Sequence, residues 1–367
     1  MTMADRQIDE FYMRMALSLA IRGTGGTSPN PLVGSVIVDE SGICGWGYHS
    51  APGYPHAEAE ALSMAGKKAA GATLYVNLEP CSHFGKTPPC APRIIEAGIK
   101  RVVAGIGDPD PRVSGRGFKM LSSAGIDVRE GVLEKECRKI NRGFLSRVER
   151  NRPWVTLKAA VTLDGTMALG SGESKWITNE QSRARAHLLR GCNDAVLVGR
   201  GTVECDDPLL TVRKVSGRDP VAVVLDPGLS MSSGSNLARE GTIVFGLAGA
   251  GLGKRRSLER QGCRVFLVES DEKNRIPIIP MLEVLGSKGI NNLLVEGGPL
   301  VAGSFLEKRC FDSISFFVSP RIAGEGRKIG EGFIISGFDV SAEVSITSAV
   351  DVEGDLWIEG EMRCSPD

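Results

Sequence analysis

Aromatic side chains make up only 5% of this 367-residue chain, and its 44 basic and 44 acidic residues cancel to a formal net charge of zero. So few aromatics argue against a platform that stacks the bases of a nucleic-acid strand. A balanced charge offers no basic field to draw in a polyanion. No apolar run is long enough to span a bilayer. The longest N-terminal apolar stretch, Met13 to Ile21, is interrupted by Arg14 and preceded by Asp5, Asp9 and Glu10. A secretion signal carries positive charge there, so an amphipathic first helix is the better reading. The nine cysteines are an odd number. Without a secretion signal they read as reduced thiols and metal ligands, not as a disulfide framework. These absences favour a cytoplasmic protein acting on a small molecule, with no nucleic-acid or membrane partner.

Histidine is also scarce, with four in the chain, and three of them fall between positions 49 and 83. His56-Ala57-Glu58 is followed by Pro80-Cys81 and by Cys90. A catalytic zinc takes three protein ligands and keeps one position for water, whose pKa it lowers to about 7. His56, Cys81 and Cys90 supply that ligand set. Glu58, two residues from His56 near the start of a helix read over 56–65, can stand beside the metal without binding it. There it would take the water proton and pass it to a leaving amine. Zinc nucleobase deaminases carry the pattern H-x-E followed by P-C-x-x-C, but here the second cysteine lies nine residues after the first. Cys90 precedes a helix read over 91–97, where the helix dipole favours the thiolate. The loop between the cysteines holds Ser82, His83, Gly85 and Lys86, suited to substrate contacts. A structural zinc would need a fourth ligand, from His49 or His83, and would leave Glu58 without a purpose.

The length favours two domains. Up to the charged Arg150-Asn-Arg-Pro153 the chain alternates strands (35–39, 73–78, 101–106 and 127–130) with helices (8–22, 56–65, 91–97 and 117–124). Glycines 66, 98 and 125 stand at helix C-caps, and a helical tail runs over 133–147. This predicts a sheet covered by helices in domain 1–148. Domain 152–363 alternates again. Thr178 and Gln181 fit a capping box for a helix closed by Gly191. Strands are expected at 195–198, 221–225, 242–245, 264–268 and 292–295, with a β-rich end over 313–319 and 342–358. Residues 247–253 read as a glycine-rich loop. They lack the G-x-G-x-x-G spacing of a dinucleotide fold, and no helix with a clear apolar stripe follows them.

Leu293-Leu-Val-Glu-Gly-Gly-Pro299 passes from a strand through two glycines into a helix, a turn that admits a phosphate to the backbone and the helix N-terminus. Asp206-Asp-Pro-Leu-Leu-Thr-Val-Arg213 brings acids and a base into one loop, where spacing alone supports only a solvated turn.

Together these segments resemble the bifunctional riboflavin-biosynthesis family, a pyrimidine deaminase fused to a reductase. In the first domain the likeness rests on Asn30-Pro-Leu-Val-Gly-Ser-Val36, the His56 triplet, Leu78 to Cys90 with its long cysteine spacing, and Asp108 to Gly115. In the second it rests on Leu157 to Gly165, Gly172 to Thr178, Asp206 to Arg213, and Val295 to Pro299. The resemblance implies a cytidine-deaminase-like α/β/α sandwich followed by a dihydrofolate-reductase-like α/β domain. It implies deamination of 2,5-diamino-6-(5-phosphoribosylamino)pyrimidin-4-one with Zn2+, then reduction of the ribosyl chain to ribityl with NADPH, in a homo-oligomer. Asn30, His49, His83 and Lys86 would hold the first substrate. Lys158, Ser174, Arg190, Leu210, Arg213 and Glu296 would contact the second, the two arginines suiting its phosphate. Ala160, Trp176, Thr202, Asp206, Gly298, Pro299 and Leu300 would line the cofactor, and Asp206 would help deliver a proton. The alternative is a deaminase whose second domain only binds ligand.

Overall fold

The computed structural model describes residues 3–83, 88–110, 114–173, 175–337 and 341–363. The chain forms two compact units, Met1–Arg150 and Asn151–Asp367. In the first, α1 (Met3–Ala20) precedes β1 (Gly34–Asp39), β2 (Gly42–Tyr48), α2 (Ala57–Ala65), β3 (Thr73–Leu78), α3 (Cys90–Glu96), β4 (Arg101–Ile106), α4 (Arg116–Ser123), β5 (Asp127–Arg129), α5 (Glu134–Ile140) and α6 (Arg142–Arg150). The sheet order is β2-β1-β3-β4-β5, with β1 antiparallel to both neighbours and β3, β4 and β5 parallel.

Alternating side chains of these strands serve two cores, as a strand's period of two requires. Ile37, Leu74, Val76 and Val102 pack with Leu62 of α2, Ile94 of α3 and Leu121 of α4. Val36, Tyr75 and Val103 pack with Met13 of α1, Cys137 of α5 and Phe144 of α6. The unit is an α/β/α sandwich. Leu74, Ile94 and Leu121 are fully buried, and burial of each contributes about 1.5–3 kcal/mol.

Three details depart from the sequence expectation. Strand β2 (Gly-Ile-Cys-Gly-Trp-Gly-Tyr) went unread because its glycines mask the strand pattern. A Cβ at Gly45 would lie 2.2 Å from the Ala61 carbonyl oxygen, and one at Gly47 would lie 2.5 Å from that of Ala57. The glycines let α2 lie directly on the sheet. His56 caps α2 with extended backbone (ψ 159) and is not its first residue. The tail expected over 133–147 breaks at Asn141 and runs on to Arg150. The Asn141 amide turns aside to accept from Leu32 N (2.8 Å) and donate to Leu32 O (3.0 Å), a side chain acting as a strand partner. Tyr75, Arg101 and Arg129 surround the buried Asp9 carboxylate and tie α1 to the sheet.

The second unit contains β6 (Trp154–Thr162), β7 (Thr166–Leu169), α7 (Glu180–Gly191), β8 (Ala195–Gly199), α8 (Arg200–Asp206), β9 (Val221–Leu225), β10 (Ile243–Leu247), α9 (Leu252–Arg260), β11 (Arg264–Val268), α10 (Ile278–Ser287), β12 (Asn292–Val295), α11 (Pro299–Glu307), β13 (Ser313–Ser319), β14 (Gly326–Lys328), β15 (Val344–Val352) and β16 (Asp355–Met362). Its large sheet runs β11-β10-β9-β8-β12-β6-β13-β16-β15. Strands β11 to β13 are parallel, and β16 and β15 close the edge as an antiparallel hairpin. Met281 of α10 and Phe305 of α11 cover one face; Val203 of α8 and Leu258 of α9 cover the other.

The cap of α7 is Asn179, whose side chain accepts from Ser182 N (2.8 Å), in place of the Thr178–Gln181 box. The stretch 247–253 is not all loop: β10 ends at Leu247 and α9 starts at Leu252, burying only Leu258.

Candidate active sites

Strand β3 delivers Leu78, Glu79 and Pro80 to the carboxyl edge of the first sheet, and Cys81 follows. The Glu79 carboxylate is 3% exposed. It accepts from the backbone N–H groups of Asp108 (3.1 Å), Gly115 (2.9 Å) and Gly117 (2.8 Å). This fixes the corner after β4 and the start of α4. Cys90 opens α3, and its N–H donates to Cys81 Sγ (3.3 Å). His56 caps α2 and directs Nδ1 at both sulfurs, 3.5 Å from Cys81 Sγ and 3.4 Å from Cys90 Sγ. The three ligand atoms lie within 4.8 Å of one another. One nitrogen and two soft sulfurs at this separation fit a tetrahedral zinc with one open position.

The Cys90 thiol and the nearby imidazole, both within hydrogen-bonding reach, hold the Cys81 thiol below the usual thiol range, which favours the thiolate that a metal takes. Glu58, on the first turn of α2, is 3% exposed. Burial and then the Cys81 thiolate push its carboxyl up to about 7, the range of a group that both accepts and returns a proton at neutral pH.

The same wall carries Asn30, His49 and His83, around a cavity of about 400 Å³. His49 Nδ1 lies 3.1 Å from Pro55 O, which can only accept, so Nδ1 carries the proton. Nε2 is then an acceptor, and the Asn30 amide turns its NH2 to it at 2.9 Å. The carbonyl oxygen of Asn30 is what remains to offer a ligand. Burial lowers the His49 pKa, in keeping with a neutral ring. Lys86 lies outside the described residues. The cavity also includes Tyr54, Asp108, Asp110 and Arg147, which sequence reasoning did not single out. Burial pushes the Asp108 carboxyl up to about 6.

In the second unit the helices after β8 and β12 diverge. The chain goes on from β8 toward β9 on one side, and from β12 toward β13 on the other. Ligands of open α/β sheets bind outside the carboxyl ends of strands at such a switch point. Ala160 of β6, Thr202 and Asp206 of α8, and Gly298 and Pro299 before and in α11 stand at this edge. A Cβ on Gly297 would come within 2.4 Å of Val301, so helix packing requires that glycine. A Cβ on Gly298 would meet nothing nearer than Thr202 Oγ1 at 3.7 Å. That open cradle at the start of α11, with Leu300 exposed beside it, fits a phosphate of a dinucleotide.

Glu296 follows β12 and is met by two cations. Arg190 of α7 holds it bidentately (Nε–Oε1 2.7 Å, Nη2–Oε2 2.9 Å), and Lys158 Nζ of β6 lies 3.6 Å away. These charges outweigh the effect of burial and hold the Glu296 carboxyl down at about 2. The guanidinium fork of Arg190 is therefore engaged with a carboxylate, while Arg213 is exposed on its loop, with Nη1 donating to Thr211 Oγ1 (2.9 Å). Leu210 is 2% exposed and its side chain belongs to the core, so only its backbone is available to a ligand. Asp206 pairs with Lys175 Nζ (2.9 Å). Asp207, next in the loop, is tied to Asn236. Trp176 is exposed, with Arg183 4.5 Å over its ring. Ser174 lies outside the described residues.

Residues 6–106 match the family described as the cytidine and deoxycytidylate deaminase zinc-binding region, and residues 153–344 match the RibD C-terminal domain. The riboflavin biosynthesis protein RibD of Aquifex aeolicus is 47% identical over 329 residues, covering 89% of this chain and 91% of that protein. That of Escherichia coli K12 is 40% identical, covering 86% and 89%. Among solved structures, Acinetobacter baumannii RibD (form 1) superposes with a TM-score of 0.90 at 33% identity, covering 98% of this chain and 100% of that one. The Thermotoga maritima diaminohydroxyphosphoribosylaminopyrimidine deaminase/5-amino-6-(5-phosphoribosylamino)uracil reductase does so at 0.87 and 37%, covering 98% and 99%. The chain belongs to the RibD family of riboflavin biosynthesis and carries both of its parts, a zinc-binding deaminase domain and a reductase domain.

Proposed function

We propose that residues 1–148 deaminate 2,5-diamino-6-(5-phosphoribosylamino)pyrimidin-4-one and that residues 152–363 reduce the ribosyl chain of the product with NADPH. The observation that carries the first half is a buried carboxylate, Glu58, beside a three-ligand cluster on the wall of one cavity. His56, Cys81 and Cys90 would hold the zinc, which when bound would supply a hydroxide nucleophile at neutral pH for the pyrimidine carbon bearing the 2-amino group. Glu58 takes the proton at its carboxylate and returns it to the departing nitrogen, which leaves as ammonia. The Asn30 carbonyl oxygen, oriented by His49, accepts from a ring N–H or amino group. His83, on the cavity wall, and Lys86 are the further candidates for substrate contacts.

In the second site NADPH, when bound, would supply the hydride. Ala160, Trp176, Thr202, Asp206, Gly298, Pro299 and Leu300 position it. Lys158 and Glu296, braced by Arg190, anchor the pyrimidine end. Arg213 holds the phosphate, with Ser174 and the Leu210 backbone lining the chain between. Asp206 is the candidate proton carrier to the sugar oxygen. No helix is long and apolar enough to cross a membrane among the described residues. We place the enzyme in the cytoplasm as a homo-oligomer, a reading supported by family resemblance. A sequential assay tests the whole: ammonia is expected from the diaminopyrimidine without NADPH, and NADPH oxidation only after deamination. Equal oxidation of NADPH with either pyrimidine, or none with the deaminated one, overturns the second half.

A further inference from the structure

The deaminase cavity has an unbalanced lining. Glu58, Glu79, Asp108 and Asp110 contribute carboxylates, and among its described lining residues Arg147 is the only arginine or lysine. A phosphate dianion entering such a cavity needs a cation to offset the acids. Arg147 is half-buried on α6. Its Nη2 donates to Pro29 O (3.0 Å), and its Cζ lies 5.7 Å from the centre of the Phe144 ring. Pro29 and Phe144 line the same cavity. The guanidinium is thus held against the wall by a carbonyl and a ring, which lowers the entropy lost when it grips an anion.

We propose that Arg147 receives the phosphate of the phosphoribosyl tail in the deaminase site and makes that site selective for a phosphorylated pyrimidine. The proposal rests on the substrate reading given above. It assigns the phosphate to a residue more than fifty positions from the cysteine loop. The competing role is a brace that holds the Pro29–Asn30 corner through the Pro29 carbonyl. The two roles differ in what they do to a substrate without phosphate.

Ammonia release by the zinc-loaded full chain is measured on the phosphorylated substrate and on its dephosphorylated ribosyl form. For Arg147→Met, KM for the phosphorylated form is expected to rise roughly 10- to 100-fold, the loss of a charge-assisted hydrogen-bonded pair. Its kcat should stay within about twofold and KM for the ribosyl form should not change, since the ring contacts are intact. Arg147→Lys, which keeps the charge but not the fork, should recover part of the loss. Inorganic phosphate should compete with the substrate in wild type and less so in Arg147→Met. Zinc content guards against misfolding. An equal KM rise on both substrates, or no rise on either, overturns the proposal. A wild-type enzyme that handles both forms with the same KM overturns the phosphoribosyl substrate itself.

Discussion

Arg190→Met is the most demanding test of the reductase site, because it strips a buried carboxylate of its bidentate partner while nearly conserving side-chain length. Glu296 and Arg190 have side-chain exposures of only 7% and 15%, so solvent offers little substitute. The shift of Glu296 from 4.5 to about 2 corresponds to roughly 3 kcal/mol in favour of its ionised form, at about 1.4 kcal/mol per unit. Losing one partner of a buried pair costs about 3–5 kcal/mol by general experience. Lys158 at 3.6 Å recovers part of that, so about 3 kcal/mol is expected. Trp154, Trp176 and Trp357 belong to the second unit, so the urea transition followed by tryptophan fluorescence reports mainly on it. Neutralising the orphan should help: Arg190→Met combined with Glu296→Gln should be more stable than Arg190→Met alone. The pH dependence follows from the depressed pKa. In wild type this contribution is fully present above pH 4.5 and is lost as pH falls toward 2. In Arg190→Met that loss should shrink. A single variant costing under about 1 kcal/mol, or a double variant as unstable as the single, refutes the reasoning.

Glu79→Ala removes a buried acceptor of several backbone N–H groups. It should destabilise the first unit by about 2–4 kcal/mol and lower deamination through the Asp108 corner, as calorimetry and ammonia assays would register. Gly45→Ala drives a methyl to 2.2 Å from the Ala61 carbonyl. It should cost about 1–3 kcal/mol by overpacking and depress deamination while reduction of the deaminated pyrimidine continues. Arg213→Ala should raise the reductase KM about tenfold or more and leave ammonia release unchanged; equal loss of both activities contradicts the two-site picture.

How legible each part was depends on how local its signal is. β3, β4, β9, β11, β12 and β13 are visible with their bounds, because strands buried on both faces are short apolar runs between polar or glycine stops. β2 is hidden because the demand on it, close approach of α2, selects glycine over strand formers. The break at Asn141 and the cap at Asn179 depend on partners that composition does not reveal, Leu32 in one case and Ser182 in the other. The metal ligands and Glu58 are legible since the chemistry confines them to three helix and strand ends in short order. Lys158, Arg190 and Glu296 sit on three elements that meet only in the folded sheet, and family resemblance alone singled them out. Arg147 reaches the first cavity from α6, so spacing gave it no mark.

The most direct test is the zinc content of the Glu58→Gln protein measured beside its ammonia release. One zinc per chain with deamination abolished is the expected result, because the amide leaves the His56, Cys81 and Cys90 cluster intact and cannot carry the proton. Ammonia released at the wild-type rate, or a protein that no longer holds zinc, contradicts the role given to Glu58.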